Sequence, residues 1–174
     1  DKCFEQKSGS SGELNLMLLS VLKSLDVEAY PCLLSTRGHG KMINLYPIVQ
    51  QFNHVIVVAK LNGGLTVMDL SDDKRPVGIP RKASLNQMAW LIDPAQPQWI
   101  SLTPPTASTT NLYNMSITEN GSVTIDAKTK YEGYHATDIL ERSETQSAET
   151  ILVKQAYSHF YEYDLIAAEF EAPE

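Results

Sequence analysis

Apolar residues follow a helical spacing near the start of the chain and then fall into short runs that polar turns separate. Ser10 and Glu13 fit a capping box, an arrangement that begins a helix. The positions whose spacing predicts a buried helix over residues 12–25 are Leu14, Met17, Leu18, Val21, Leu22 and Leu25. Later apolar runs predict four strands, over residues 27–35, 52–61, 65–70 and 99–102. One helix against an antiparallel sheet is an α+β layout.

The glycine-rich turn at residues 62–64 predicts a hairpin between two of these strands. If its loop has two residues, His54 and Asp69 lie on one face of the sheet as diagonal neighbours, roughly 7–8 Å apart at their α carbons. A three-residue loop would place them on opposite faces, because a one-residue slip turns every side chain over. The sequence leaves this register open.

A stretch rich in proline, threonine and serine, residues 103–110, is the clearest boundary in the chain. It separates a domain over residues 1–103 from a smaller one over residues 110–174. The elements predicted in the second domain are a hairpin of residues 112–118 and 123–131, a helix over residues 148–160 that begins near Ser147, and a strand over residues 163–170. The predicted fold class is therefore α+β, a helix on an antiparallel sheet followed by a small β-rich α+β domain.

Composition narrows the possible partners and cofactors. Apolar residues make up 43% of the 174 residues, which predicts a packed interior. A formal net charge of −7 and the lack of a basic stripe argue against nucleic-acid binding. No apolar run reaches the roughly 18 residues of a membrane span, so we expect no membrane insertion. Neither Cys3 nor Cys32 has further ligands at metal spacing, so we expect no metal and no cofactor, with Cys32 as a small core residue.

The strongest chemical pattern is the order Ser11, His54, Asp69. Ser11 lies at the start of the predicted helix, His54 in one strand and Asp69 in the next. A nucleophile, a base and a group that orients the base are what an acyl-transfer site needs. The start of a helix stabilises a thiolate or an oxyanion, but a serine hydroxyl is far harder to ionise than a thiol. The pattern therefore predicts the frame of a cysteine-type site with serine at the nucleophile position.

Four segments in this order resemble the bacterial transglutaminase-like domains of the papain-like cysteine protease superfamily. They are residues 9–15, 30–37, 52–56 and 68–69, which read GSSGELN, YPCLLSTR, FNHVI and MD. The resemblance covers about residues 5–102, and residues 110–174 resemble the small C-terminal companion domain of those proteins. It implies a larger exported, periplasmic bacterial protein with further domains as partners, of which the first domain here is N-terminally incomplete.

In that family the helix-start residue is the cysteine nucleophile, the next strand supplies a histidine and the following strand an aspartate. The resemblance makes His54 the base and Asp69 its orienting group, with Ser11 at the nucleophile position. The expected function is a non-catalytic module that binds peptide or protein. Two alternatives stay open: an active amide-bond hydrolase or acyltransferase with a Ser11-His54-Asp69 triad, and a structural connector. Each residue also has an alternative structural role. Ser11 could cap the helix, His54 could be a hydrogen-bonded strand residue, and Asp69 could fix the end of a strand through hydrogen bonds.

Overall fold

The computed structural model describes residues 5–72, 75–156 and 164–171. The chain forms two compact units, of which one ends at Pro105 and the other begins at Thr106. The elements of unit 1 are α1 (Ser11–Ser24), β1 (Ala29–Leu34), β2 (His54–Leu61), β3 (Gly64–Met68), β4 (Met88–Leu91) and β5 (Gln98–Ser101), with short 3₁₀ turns at Val49–Gln51 and Lys82–Ser84. The elements of unit 2 are β6 (Ser108–Ile117), β7 (Val123–Glu132), α2 (Tyr134–Ser143) and α3 (Ala148–Ala156).

The strands of unit 1 form one antiparallel sheet in the order β3-β2-β1-β4-β5. At the turn between β2 and β3, Leu61 pairs with Gly64, so the loop consists of Asn62 and Gly63 alone. Both loop residues have positive φ, at 51° and 78°, as a two-residue hairpin loop of the type I′ class requires. The chain is therefore a mixed α+β protein with an antiparallel sheet, and the two-residue register is the one that is present.

Helix α1 begins as the capping box predicts. The Ser10 side chain accepts a hydrogen bond from the Glu13 amide, and the Glu13 carboxylate accepts one from the Ser10 amide. The predicted buried face is partly wrong, because Val21 and Leu25 are half or more exposed. The side of α1 that packs on the sheet carries Asn15, Leu18, Leu19 and Leu22. This row follows the i, i+4 line from Ser11, which turns the N-terminal end of α1 toward β2.

The two faces of the sheet are both buried near its centre. Ala29, Val57 and Ala59 pack against α1. Side chains on the other face alternate with these, and among them Cys32 and Val58 have no exposed surface. Burial raises the pKa of the Cys32 thiol to about 12, so this residue is a core hydrophobe, as the sequence predicted. Cys3 lies outside the described residues.

Several predicted elements need correction. Strand β4 and helix α2 were not predicted, and β6 begins at Ser108, so the last three residues of the predicted linker belong to a strand. The strand predicted over residues 163–170 is wrong, because residues 164–170 have no regular structure and residue 163 lies outside the described residues. Helix α3 does begin where predicted, and Ser147 Oγ accepts a hydrogen bond from the amide of Thr150.

Unit 2 is built on the long antiparallel pair of β6 and β7, in which Ser108 lies opposite Glu132. Gly133 turns the chain from β7 into α2 with a φ of 60°. A β carbon at this position would lie 2.3 Å from the carbonyl oxygen of Thr106, so no other residue fits without a shift of the backbone.

Candidate functional site

Three elements of unit 1 bring Ser11, His54 and Asp69 together. Ser11 is the first residue of α1, His54 is the first residue of β2, and Asp69 directly follows β3. Ser11 Oγ lies 3.4 Å from Nδ1 of His54, and Nε2 of His54 lies 2.9 Å from Oδ2 of Asp69. The side chains of His54 and Asp69 are almost completely buried. The contact between His54 and Asp69 is the one that the two-residue hairpin loop predicts.

Ser11 does not cap its helix. Ser10 is the N-cap residue, and its hydroxyl accepts a hydrogen bond from the backbone amide of Glu13. The interpretation of Ser11 as the helix cap is therefore wrong. The Ser11 hydroxyl instead faces His54 at the N-terminal end of α1, where backbone N–H groups lack helical partners. The 3.4 Å separation exceeds the roughly 2.6–3.2 Å of a working nucleophile and base.

Asp69 is held as a carboxylate. Burial alone raises the pKa of this group, but hydrogen bonds from His54, Ser71 and Asn15 outweigh it and keep the pKa of Asp69 well below its ordinary value. Oδ1 accepts from the Ser71 amide at 3.0 Å, from the Ser71 hydroxyl at 2.5 Å and from Asn15 Nδ2 at 2.9 Å. Oδ2 accepts from His54 at 2.9 Å. A carboxylate can only accept, so Nε2 of a neutral His54 carries the proton and Nδ1 is the acceptor that faces Ser11.

Asn15 is the site residue that the sequence did not single out. It has no exposed surface, and it follows Ser11 by one helical turn. Its Nδ2 group donates to Asp69 Oδ1 at 2.9 Å and to the carbonyls of Val55 and Ser11 at 3.0 Å, while its Oδ1 accepts from the Leu70 amide at 2.9 Å. The available signal was a lone amide on an otherwise apolar helix face. Ser71 was also missed, although an aspartate two residues before a serine is a frequent local turn.

The order of the two ring nitrogens differs from that of a serine-protease triad. In that triad the nucleophile hydroxyl bonds Nε2 of the histidine, and the carboxylate bonds Nδ1. Here the hydroxyl of Ser11 faces Nδ1, and Asp69 bonds Nε2. The geometry supplies a hydroxyl, an imidazole acceptor and a fixed carboxylate, arranged in the reverse sense around the ring.

An aromatic cluster lies on the same face of the sheet as α1, and we call Phe52, Trp90 and Trp99 the aromatic shelf. The ring centroids of the two tryptophans are 5.1 Å apart in an edge-to-face arrangement, and Phe52 lies 6.0 Å from Trp99. One row of side chains crosses the sheet, in which each residue is the direct cross-strand partner of the next: Val55, Leu33, Trp90 and Trp99. A β carbon on Gly12 of α1 would lie 3.7 Å from Cγ1 of Val55. Two strand spacings, ~10 Å, separate Val55 from Trp90, so the partly exposed shelf begins near the start of α1.

Other polar groups in unit 1 have structural explanations. His39 Nδ1 lies 3.0 Å from Ser35 Oγ, but that hydroxyl is buried and donates to the carbonyl of Gly40 at 2.8 Å, which closes the loop after β1. A cavity of about 320 Å³ lies away from the site, between Val58, the middle of β3 and the chain around Leu102. The residues that line this cavity include no titratable group.

The described residues contain neither a metal-binding cluster nor a long apolar helix. Over residues 5–72, 75–156 and 164–171, no three histidine, cysteine, aspartate or glutamate side chains gather as a metal site would need. No helix within those ranges has both the length and the apolar character to cross a membrane.

Neither protein-family models, nor curated proteins, nor solved structures gave a match to this chain.

Proposed function

We propose that this chain carries a non-catalytic transglutaminase/protease-like module of a larger exported, periplasmic bacterial protein, and that it binds peptide or protein beside Ser11. The observation that carries the proposal is the chain of contacts from Ser11 through His54 to Asp69. Ser11, His54 and Asp69 occur in the same order as the cysteine, histidine and aspartate of the transglutaminase-like family. That resemblance supports the proposed family and the proposed periplasmic location.

The chemistry of Ser11 argues for peptide binding rather than catalytic turnover. A sulfur atom is larger than an oxygen, so 3.4 Å suits a thiol against a ring nitrogen and is long for a hydroxyl. Serine triads succeed by delivering the hydroxyl proton during attack, which needs a close contact with the base. At this distance Ser11 is less well placed as a nucleophile than a thiol would be. The opposing candidate, an active hydrolase or acyltransferase, is favoured by the presence of all three side chains.

A serine-reactive probe separates these two candidates. We expect an alkyl fluorophosphonate to leave the folded protein unlabelled after long exposure at pH 8, because the Ser11 hydroxyl is not activated. Intact-mass spectrometry measures the label. An adduct at Ser11 that disappears in His54→Ala would establish the hydrolase, whereas an adduct at another serine would leave the non-catalytic assignment intact.

The aromatic shelf supports a peptide as the ligand. Aromatic side chains supply large apolar contact area with little loss of rotamer entropy. The N–H groups at the start of α1 that the Ser10 side chain does not cap have no acceptor within the helix, and together with the Nδ1 acceptor of His54 they are complementary to the carbonyl and amide of a peptide bond. An extended peptide with bulky apolar side chains matches both features, with its backbone at Ser11 and a side chain on Trp90 or Trp99.

Intrinsic tryptophan emission tests peptide binding directly. The chain contains two tryptophans, both in the shelf, so an emission change reports this surface. We expect extended peptides with phenylalanine or leucine to shift the emission saturably, and Trp99→Ala to weaken binding by roughly twofold to tenfold, as loss of one aromatic pair predicts. Tyr113→Ala, which removes an exposed ring in unit 2, is the control. If a diverse peptide library leaves the emission unchanged, the structural connector replaces the binding module.

A further inference from the structure

Asn15 is a buried amide that joins the three elements of the site. It lies in α1, donates to the carbonyl of Val55 in β2 and to Asp69 after β3, and accepts from the amide of Leu70. A buried amide with all these partners is costly to replace, because removal of either end leaves polar groups unsatisfied. Packing alone would not need an amide here, since the next turn of the same helix face uses Leu19.

The bonds of Asn15 decide which oxygen of Asp69 is available to His54. Asn15 and Ser71 both bond Oδ1, so Oδ2 points at Nε2 of His54. That contact places the proton of a neutral imidazole on Nε2. The lone pair of Nδ1 is then directed at the start of α1, where Ser11 Oγ lies 3.4 Å away.

We propose that Asn15 is a positioning residue, which fixes the Nε2–H tautomer of His54 by holding Asp69, and so keeps Nδ1 as a hydrogen-bond acceptor for an N–H group of a bound peptide backbone. The inference rests on the proposed function, because it assigns a ligand group to the same site. In this inference Nδ1 of His54 belongs to a hydrogen-bond network that joins α1, β2 and the end of β3. Asn15, one helical turn after Ser11, determines which ring nitrogen of His54 carries the proton.

Nitrogen-15 NMR of the His54 ring tests which nitrogen carries the proton. The measurement is made at about pH 9, where an ordinary imidazole with a pKa near 6.5 is neutral. We expect a single Nε2–H form in the native chain. In Asn15→Leu the ratio of Nε2–H to Nδ1–H should fall about tenfold, because Asp69 loses the one donor to Oδ1 that comes from α1 and keeps only the two from its neighbour Ser71. Asn15→Ser is the second variant if the leucine form does not fold, since its short hydroxyl can bond a carbonyl one helical turn back but lacks the amide that donates to Asp69.

The matched control is Asn53→Ala. Asn53 directly precedes His54, and its side chain bonds the amide and the hydroxyl of Thr36 without contacting Asp69. This variant should keep the single tautomer although it also loses two hydrogen bonds. A folded Asn15→Leu or Asn15→Ser protein with an unchanged tautomer ratio would overturn the inference, and Asn15 would then only connect α1 to β2 and to the residues after β3.

Peptide titration of the same variants separates the inference from the proposed function. If the native chain binds peptide, Asn15→Leu should weaken binding by the factor by which the Nε2–H fraction of His54 falls, and Asn53→Ala should leave the affinity unchanged. If the native chain binds no peptide, the proposed function fails while the tautomer result still decides the role of Asn15. Unchanged peptide affinity in a variant whose tautomer has shifted would refute the assignment of Nδ1 as the ligand acceptor.

Discussion

Asp69→Asn is expected to lower the free energy of unfolding at pH 7 by about 2–3 kcal/mol, because hydrogen bonds to a buried charged group contribute roughly 1.5–3 kcal/mol. The amide of asparagine can replace one oxygen of the carboxylate but not both. Its NH₂ group must face either His54 or the donors of Ser71 and Asn15, whose atoms all now bond oxygen. Urea unfolding followed by tryptophan emission measures the loss in unit 1, where both tryptophans lie.

The same substitution should flatten the acid dependence of stability. The pKa of Asp69 in the folded protein is well below its ordinary value, so the unfolded chain binds the proton more tightly. The stabilisation by Asp69 is complete above the unfolded pKa of about 3.9 and is lost as the pH falls toward the folded pKa. The difference between native and Asp69→Asn proteins should therefore shrink steadily below about pH 4.

Ser71→Ala provides a graded comparison for this prediction. It removes the hydroxyl donor of Ser71 and keeps the amide donor, so its loss of stability should have the same direction and a smaller size. Parallel pH profiles for the native and Asp69→Asn proteins between pH 5 and 2 would show that the carboxylate does not stabilise the fold in the way its contacts indicate.

The parts of the site that the sequence predicted are those set by local chemistry. The capping box fixes where α1 begins, and hence that Ser11 occupies the first position of the helix. The Asn-Gly turn permits two residues with positive φ, and the two-residue loop, one of the two registers that the sequence left open, places His54 and Asp69 on one face. Both are short-range features, in which the residue types at a few positions determine the geometry.

The parts that were missed depend on contacts between distant segments. Periodicity alone could not assign Asn15 to the site, because its acceptors come from β2 and from the residues after β3. Strand β4 has four residues, too few for a period-two pattern, and it is stable because β1 and β5 flank it. The aromatic shelf could not be predicted without that strand, since Trp90 and Trp99 meet only through its pairing with β5.

Ser11→Cys should create a thiol that reacts with iodoacetamide at pH 6 roughly tenfold to a hundredfold faster than an ordinary exposed cysteine. An unperturbed thiol with a pKa near 8.5 is about 0.3% thiolate at that pH. The N-terminal end of α1 and an imidazole at the distance of the present 3.4 Å contact both favour the thiolate. The gain is smaller than the rise in thiolate fraction, because nucleophilicity falls with thiol pKa.

Control variants show which part of the site activates that thiol. Cys3→Ser removes the other cysteine that could react, since the pKa of the buried Cys32 is about 12. Ser24→Cys places an exposed thiol at the opposite, negative end of α1 and should react no faster than an ordinary cysteine. Adding His54→Ala to Ser11→Cys should remove most of the enhancement. If Ser11→Cys reacts no faster than Ser24→Cys, the start of α1 does not stabilise a thiolate, and the kinship of this site with a cysteine-type centre would lose its physical basis.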